Sequence, residues 1–377
     1  MDPITAATHA DPYPYYASLR AAGGLSFDPG LGLWVASSAG AVAAVMVHPD
    51  CRVRPAHEPV PKAIAQGPAG KVFGLLMRMN DGERQRCPRS AIAPGLEIID
   101  SARVRDLLRT RLITPTADGL HHAMFTGPVW VVAALLGFTA SEGRILSQLT
   151  ADFVACLSPL STLEQLETAH RATEHLSHYF SARLSADDGQ RPLLEGIRQR
   201  LSERNTLLAN LIGLFSQTYE ASAGLIGNAV LALIRNPALA REMRCDPGRI
   251  DDLLAEVQRF DPPVQNTRRF VAAPCQIEGV SLNPGDTILV LLASANRDPQ
   301  LNDQPDTLIL ERPQRRSFTF GAGRHQCPGQ PLAMHIASST VGELLRQGMA
   351  LDSLAWSYRP SLNGRIPLFS ERQPAQS

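Results

Sequence analysis

Apolar positions along the chain recur mainly at three- and four-residue intervals, the period of an amphipathic helix. Residues 13–22 read as a short helix, and Gly32–Ala36 (GLWVA) reads as a strand leading into a helix over Ala39–Val47. From Cys51 to Gly70 the period is lost in a Pro-, Ala- and Gly-rich stretch, which predicts a long loop. From about Val104 to Leu254 the pattern is nearly all helical, with Pro237 marking one helix end, and Asp261–Pro263 stops the helix that follows. Three strand-like pieces come next: Arg269–Ala272, Gln276–Val280 and Thr287–Leu292. Asn296–Phe320 carries no period at all, and a last helix runs from about Pro331 to Arg346. The expected fold is mainly α with a minor β portion placed late. A structureless run of about 20 residues is unusual inside a compact domain and needs a reason.

Composition narrows the class. The 377 residues allow two or three domains or one large one, and suffice for a core without disulfides or structural metals. With 44% apolar and 19% charged residues the chain is globular rather than disordered. The 36 basic and 36 acidic side chains cancel, which argues against nucleic-acid binding through bulk charge. Lys62 and Lys71 are the only lysines, a bias that base composition explains. No repeat or low-complexity linker divides the chain. The N-terminal residues show neither a signal peptide nor an anchor, and the most apolar windows are interrupted by Gln217, Glu220 or Arg235, so no membrane span is expected. Cysteines 51, 87, 156, 245, 275 and 327 are scattered without a CxxC pair. That pattern fits a reduced, cytosolic protein whose thiols are mostly buried, and the absence of HExxH or paired Cys/His spacings argues against zinc.

One cysteine stands in unusual company. In FTFGAGRHQCPGQPLAMHIA, residues 318–337, Gly321, Gly323 and Gly329 surround Cys327 and an apolar helix starts just beyond. Glycines let a backbone approach a flat ligand and adopt positive φ. A thiolate beside a helix N-terminus is stabilised by the dipole and free N–H groups, and is a good axial ligand for haem iron. Buried filler is the bland alternative for any single cysteine. A dinucleotide loop is a second, but the third glycine and a following βαβ unit are missing.

The segment Phe320-Gly321-x-Gly323-x-His325-x-Cys327-x-Gly329 resembles the haem-binding loop of the cytochrome P450 family, the haem-thiolate monooxygenases, at every usual position. Glu256 and Arg259, in AEVQR, are similar to the family's ExxR pair, which shares one helix face at i and i+3. Arg312, in PDTLILER, matches the arginine that completes that structural triad. SANRDP at 294–299, DPYPYYASLR at 11–20 and the GLWVASSAGAVAAVMVHP region also resemble bacterial members, so the likeness spans almost the whole chain. It implies one haem domain over residues 1–377, and it explains the featureless run as the meander before the haem loop. By position, Cys327 would be the axial ligand of haem b, with Gly321 and Gly329 shaping its loop. His325 and Arg269 would pair with the propionates, where charge-assisted bonds are strongest. Arg84 stands where bacterial members often have His. The basic residue usual four positions later is replaced by Pro88, with Arg86 or Arg89 as substitutes or else a solvated face.

The likeness breaks at the distal helix, expected from about Glu203 to Arg235 and roughly 50 Å long. Family members usually carry Ala-Gly-x-Asp/Glu-Thr there. Aligned on Gly224-Leu-Ile-Gly-Asn228, this chain has Gln217-Thr218-Tyr219-Glu220-Ala221. The acid survives as Glu220, but Ala221 replaces the proton-relaying threonine. Three readings follow: Gln217, one turn from Ala221, orders the distal hydrogen bonds together with water and Glu220; the substrate supplies the missing hydroxyl or acid; or the chemistry departs from ordinary oxygen cleavage. A register shifted by one residue, placing Thr218 or Ser222 towards the iron, is the plain alternative.

The resemblance implies a monooxygenase that inserts one oxygen atom from dioxygen into a small or medium organic substrate, in the tailoring of a secondary metabolite. Electrons would come from NAD(P)H through separate ferredoxin- or flavodoxin-type partners, since the chain has no dinucleotide or flavin motif. Arg312, Arg315, Arg316 and Arg324, with the Arg84–Arg89 group, would form a basic docking face for such a partner. The Cys51–Gly70 loop, Phe215–Ala221 and Val264–Thr267 would line the substrate. A peroxygenase, or a rearrangement or cyclisation of an activated substrate, is the alternative that Ala221 raises. A non-enzymatic haem module is a third, disfavoured because Cys327, Glu256 and Arg259 are intact. A cytoplasmic monomer that binds neither nucleic acid nor membrane is expected.

Overall fold

At the centre of the computed structural model, which describes residues 1–109, 114–186 and 191–372, runs the helix Arg204–Arg235. Leu207, Ile212, Phe215, Ile226, Val230 and Leu233 are all buried on it, the pattern of a helix enclosed by protein rather than lying on a surface. The Glu203 carboxylate accepts from the N–H groups of Asn205 and Thr206 at 3.0 and 2.6 Å, satisfying two free donors of the first turn. Asn236 ends the helix and caps the next, Pro237–Cys245, by accepting from Leu239 N–H. Helices Ala117–Leu135, Ala140–Ala155, Leu163–Ser185, Ile250–Phe260 and Gln330–Arg346 pack around it. Two of these begin with reciprocal capping boxes, Thr139 with Glu142 and Thr162 with Gln165.

The strands are β1 (Leu25–Asp28), β2 (Leu33–Ala36), β3 (Cys51–Arg52), β4 (Thr267–Val271), β5 (Cys275–Ile277), β6 (Val280–Leu282), β7 (Thr287–Val290), β8 (Leu354–Tyr358) and β9 (Pro367–Glu371). Five form one sheet in the order β1-β2-β7-β4-β3, parallel only between β2 and β7. β5–β6 and β8–β9 are separate antiparallel pairs. The sheet sets Arg269, on β4, against Met46 of the helix Ala39–Val47.

The mainly helical class with a minor β portion is the one expected, and the helices Tyr13–Ala22 and Ala39–Val47 fall where the pattern put them. Within the helical stretch expected from Val104 to Leu254, residues 110–113 and 187–190 lie outside the described residues. The long loop is shorter than expected, because β3 occupies its start and the helix Pro68–Leu75 its end. β1 and the hairpin β8–β9 were not anticipated; the hairpin packs on the helix Ala117–Leu135 and on the central helix. The thiols are not mostly buried either: Cys51 and Cys156 are, but Cys87, Cys245 and Cys327 are exposed. Among the described residues no single helix is long and apolar enough to cross a membrane.

Candidate functional site

The featureless run is held by ionic and backbone bonds rather than by periodic structure. Glu256 and Arg259 lie on one face of Ile250–Phe260, both 0% exposed, with Arg259 Nη2 donating to Glu256 Oε1 at 2.7 Å. Arg312 Nε and Arg315 Nε donate to the same carboxylate at 3.0 and 2.9 Å, and Ile309 N–H adds a further bond at 3.1 Å. The guanidinium groups spread outward: Arg259 donates to the carbonyls of Asn296, Pro305 and Thr307, and Arg312 to those of Asp303, Gln304 and Thr307. One buried carboxylate thus fixes three cations and most of the meander. Burial opposes ionisation of Glu256, yet the bonds from Arg259, Ile309 and Arg312 hold its carboxyl below the ordinary value.

That meander delivers the cysteine loop. Asn296 Oδ1 accepts from Phe318 N–H at 2.7 Å and Asn296 Nδ2 donates to Thr319 Oγ1 at 2.8 Å. Two tight turns follow, closed by Gly321 N–H to Phe318 O at 2.8 Å and Gln326 N–H to Gly323 O at 3.1 Å. Gly321, which ends the first turn, lies at φ 75°, and Gly323, which opens the second, at φ 61°, where side chains are disfavoured. Gly329 is different: its φ is −90°, and an added Cβ would meet Cys327 Sγ at an ordinary 3.8 Å. It caps Gln330–Arg346, so that Cys327 stands just before the first turn of that helix. Cys327 is accessible to water, although the surrounding protein partly desolvates its thiol. Burial pushes its thiol up, against the pull of Gly329 N–H, Arg89, Arg78 and Gln330 N–H.

Beside the loop lies a cluster of cations. His325 Nε2 sits 3.0 Å and Arg324 Nε 3.3 Å from Asp81 Oδ1, so His325 is tied to a protein carboxylate rather than standing free. Burial alone would raise the Asp81 carboxyl, but hydrogen bonds from His325 and from Val53 N–H, aided by the Arg324 charge, bring it to about 2. Arg269 is 4% exposed and poorly satisfied: Nη1 donates to Arg268 O at 2.9 Å, Nη2 reaches only Met46 Sδ, and Nε has no partner. Burial lowers its pKa to about 10.

Of the arginines on the helix Glu83–Glu97, Arg84 is exposed and has no hydrogen bond or ion pair among the described residues. Arg86 pairs with Glu83, while Arg89 Nη1 donates to Gln326 O at 2.6 Å, so of the two substitutes only Arg89 touches the cysteine loop. The expected docking face is corrected by these bonds. Arg312, Arg315 and Arg324 are spent on Glu256, Asp81 and backbone carbonyls, leaving Arg316, Arg84 and Arg86 exposed.

The central helix presents Gln217 and Glu220, each held by an arginine that sequence reasoning missed. Arg78 Nη1 donates to Gln217 Oε1 at 2.6 Å, and Arg359 Nη1 lies 3.3 Å from Glu220 Oε1. Arg78 follows the helix Pro68–Leu75, and Arg359 follows β8 in the unanticipated hairpin; neither belongs to a motif. Burial raises the Glu220 carboxyl, against the charges of Arg359 and Arg78. Thr218 Oγ1 donates back to Leu214 O at 2.8 Å and Ser222 is buried, so the Thr218 hydroxyl is already engaged by the helix. Cys327 and Glu220 both act electrostatically on Arg78, which places all three in one neighbourhood.

A cytochrome P450 family model matches residues 250–347, the span holding Glu256, Arg259, Arg312 and Cys327. A putative cytochrome P450 133B2 of Xylella fastidiosa (strain 9a5c) is 30% identical over 263 residues, which cover 66% of this chain and 65% of that protein. Cytochrome P450 monooxygenase PikC of Streptomyces venezuelae is 28% identical over 94% of this chain and 89% of its own length. The crystal structure of CalO2 superposes with a TM-score of 0.80 at 25% identity, over 99% of this chain and 98% of that one. The chain belongs to the cytochrome P450 family.

Membership of that family implies a haem cofactor, and the residues present suit one. A cysteine stands at a helix start, where the N–H groups of Gly329 and Gln330 oppose the upward push of burial on its thiol. Beside its loop Arg269 has an orphaned buried Nε, and Arg269, Arg324 and His325 face the single carboxylate of Asp81. A propionate would supply the acceptor that Arg269 lacks, beside Arg324 and His325.

Proposed function

We propose that the chain is a single haem-thiolate domain over residues 1–377 that acts as a monooxygenase on a small or medium organic substrate, in secondary-metabolite tailoring. The observation that carries the reading is Cys327: it stands on a glycine-shaped loop at a helix start, and Arg78, which is bonded to Gln217 of the central helix, acts electrostatically on its thiol. The alignment with PikC, a named monooxygenase, over nearly the whole chain supports it. Cys327 would be the axial ligand of haem b, and Arg269, with Arg324 and His325, would hold the propionates; Arg84 stays a candidate from the solvent side. When bound, the haem supplies the activation of dioxygen that lets one oxygen atom pass to the substrate.

The chain's own residues set the proton supply. Ala221 offers no hydroxyl, so protons are held at Glu220, whose carboxyl burial brings closer to neutral pH, and at the amide of Gln217. Arg359 holds Glu220 in place, and Arg78 fixes Gln217 through its oxygen, which leaves the amide N–H groups free to order a water. Electrons come from NAD(P)H through separate ferredoxin- or flavodoxin-type proteins, in a cytoplasmic monomer. Turnover with dioxygen and such partners tests the reading. Equal product from peroxide without any reductant favours the second reading, a peroxygenase or rearrangement activity, which the methyl group of Ala221 motivates.

A further inference from the structure

Arg78 stands on a fixed segment, and among the described residues its guanidinium has no ion-pair partner. Its segment is pinned to the central helix: Met77 N–H donates to Asn210 Oδ1 at 2.8 Å, and Asn210 Nδ2 donates to Leu75 O at 2.9 Å. Asn80 Nδ2 closes the segment from within, donating to Gly74 O and Leu76 O at 3.0 and 2.8 Å. Among the described residues the one hydrogen bond of Arg78 is to the neutral amide of Gln217, and it has no ion pair. Glu220, the carboxylate on the same helix wall, already faces Arg359 at 3.3 Å. The side chain is open to water yet desolvated, so burial pulls its pKa down, with Cys327 and Glu220 only partly offsetting this.

A desolvated cation with an open fork of N–H donors favours a planar anion and penalises a neutral or cationic occupant. Two sources could bring a carboxylate: the substrate, or the propionates of the cofactor. The propionates already have takers in Arg269, Arg324 and His325, on the side of the cysteine loop and β4. Arg78, although within electrostatic reach of Arg269 and Cys327, makes its hydrogen bond to Gln217 of the central helix. We infer that Arg78 is a specificity-determining residue that anchors a carboxylate of the substrate against the distal helix. The inference rests on the haem reading above. It also bears on the reading of Ala221 in which the substrate contributes a polar group at the place of the missing threonine hydroxyl.

The test uses the full haem-loaded chain and a series of ω-(imidazol-1-yl)alkanoates of graded length, each matched by its neutral amide. The azole nitrogen binds the iron and shifts the haem absorption, while the tail samples the cavity wall. In the wild type at least one length binds more tightly as acid than as amide. In Arg78→Gln that preference falls roughly 10- to 100-fold, the worth of a charge-assisted bond, while amide affinity and haem content stay unchanged; Arg78→Lys retains part of the preference. No acid preference at any length, or one that survives in Arg78→Gln, overturns the proposal. Loss of haem from Arg78→Gln, or equal weakening of acid and amide, assigns the guanidinium to a propionate and also overturns it. If not even the amides shift the spectrum, the haem reading falls, and the anchor with it.

Discussion

Replacing Glu256 by Gln tests the scaffold most severely. The carboxylate is 0% exposed and receives bonds from Arg259, Arg312, Arg315 and Ile309 N–H. The amide has nearly the same volume, so no cavity forms. It keeps one acceptor oxygen, but its NH2 must face a guanidinium that also donates only. Arg259, 0% exposed, loses its counter-ion and Arg312, almost as buried, loses its own. Removing one partner of a buried pair costs about 3–5 kcal/mol, a large share of a typical ~5–15 kcal/mol. At roughly 2 °C per kcal/mol for a chain larger than 150 residues, the unfolding temperature should fall by about 6–10 °C. Scans of wild type and Glu256→Gln at one fixed rate, with haem absorption recorded alongside, measure this. Haem should be released at the lower temperature too, because the cluster holds the meander that leads to Cys327. A shift under about 1 °C, no more than an ordinary surface substitution produces, would show that the cluster does not carry the meander.

Arg365 lies between Asp261 Oδ1 at 2.7 Å and the carbonyls of Ala7, His9 and Ala10, so Arg365→Ala should cost about 3–5 kcal/mol; a urea midpoint equal to wild type would contradict this. Gly321→Ala should lose about 1–3 kcal/mol, because φ 75° there is costly for any other residue, and an unchanged midpoint would show that the turn can relax. Asp81 has its folded pKa depressed to about 2 from 3.8, so its contribution is present above pH 3.8 and lost as pH falls through about 2. Between those values the wild type should lose stability more steeply than Asp81→Asn, and parallel midpoint-against-pH curves would refute the coupling. Gln217→Ala should lower turnover and raise uncoupled consumption of reductant. Unchanged values for both would remove Gln217 from proton supply.

Motif spacing made half of the site legible. Cys327, its two left-handed glycines and the Glu256–Arg259 pair act over short sequence distances, so their chemistry appears as a local pattern. The meander was legible only as an absence of pattern, because its order comes from Arg259 and Arg312 donating to scattered carbonyls. The central helix was half visible. Gln217 and Glu220 were readable as a departure on a helix face, but their partners Arg78 and Arg359 lie 139 residues apart in one pair and beyond a misjudged hairpin in the other. No periodicity marks a single arginine that reaches in from another segment. The docking face failed for the related reason that sequence proximity of Arg312, Arg315 and Arg324 says nothing about direction, and all three turn inward.

The central claim is that Cys327 binds haem iron through its thiolate. The spectrum of the reduced, carbon-monoxide-bound protein tests it most directly. Wild type should show the red-shifted thiolate signature, and Cys327→Ala should lose it while keeping the helical far-ultraviolet spectrum of the fold. A wild-type spectrum without that signature, or a Cys327→Ala spectrum that keeps it, would contradict the assignment.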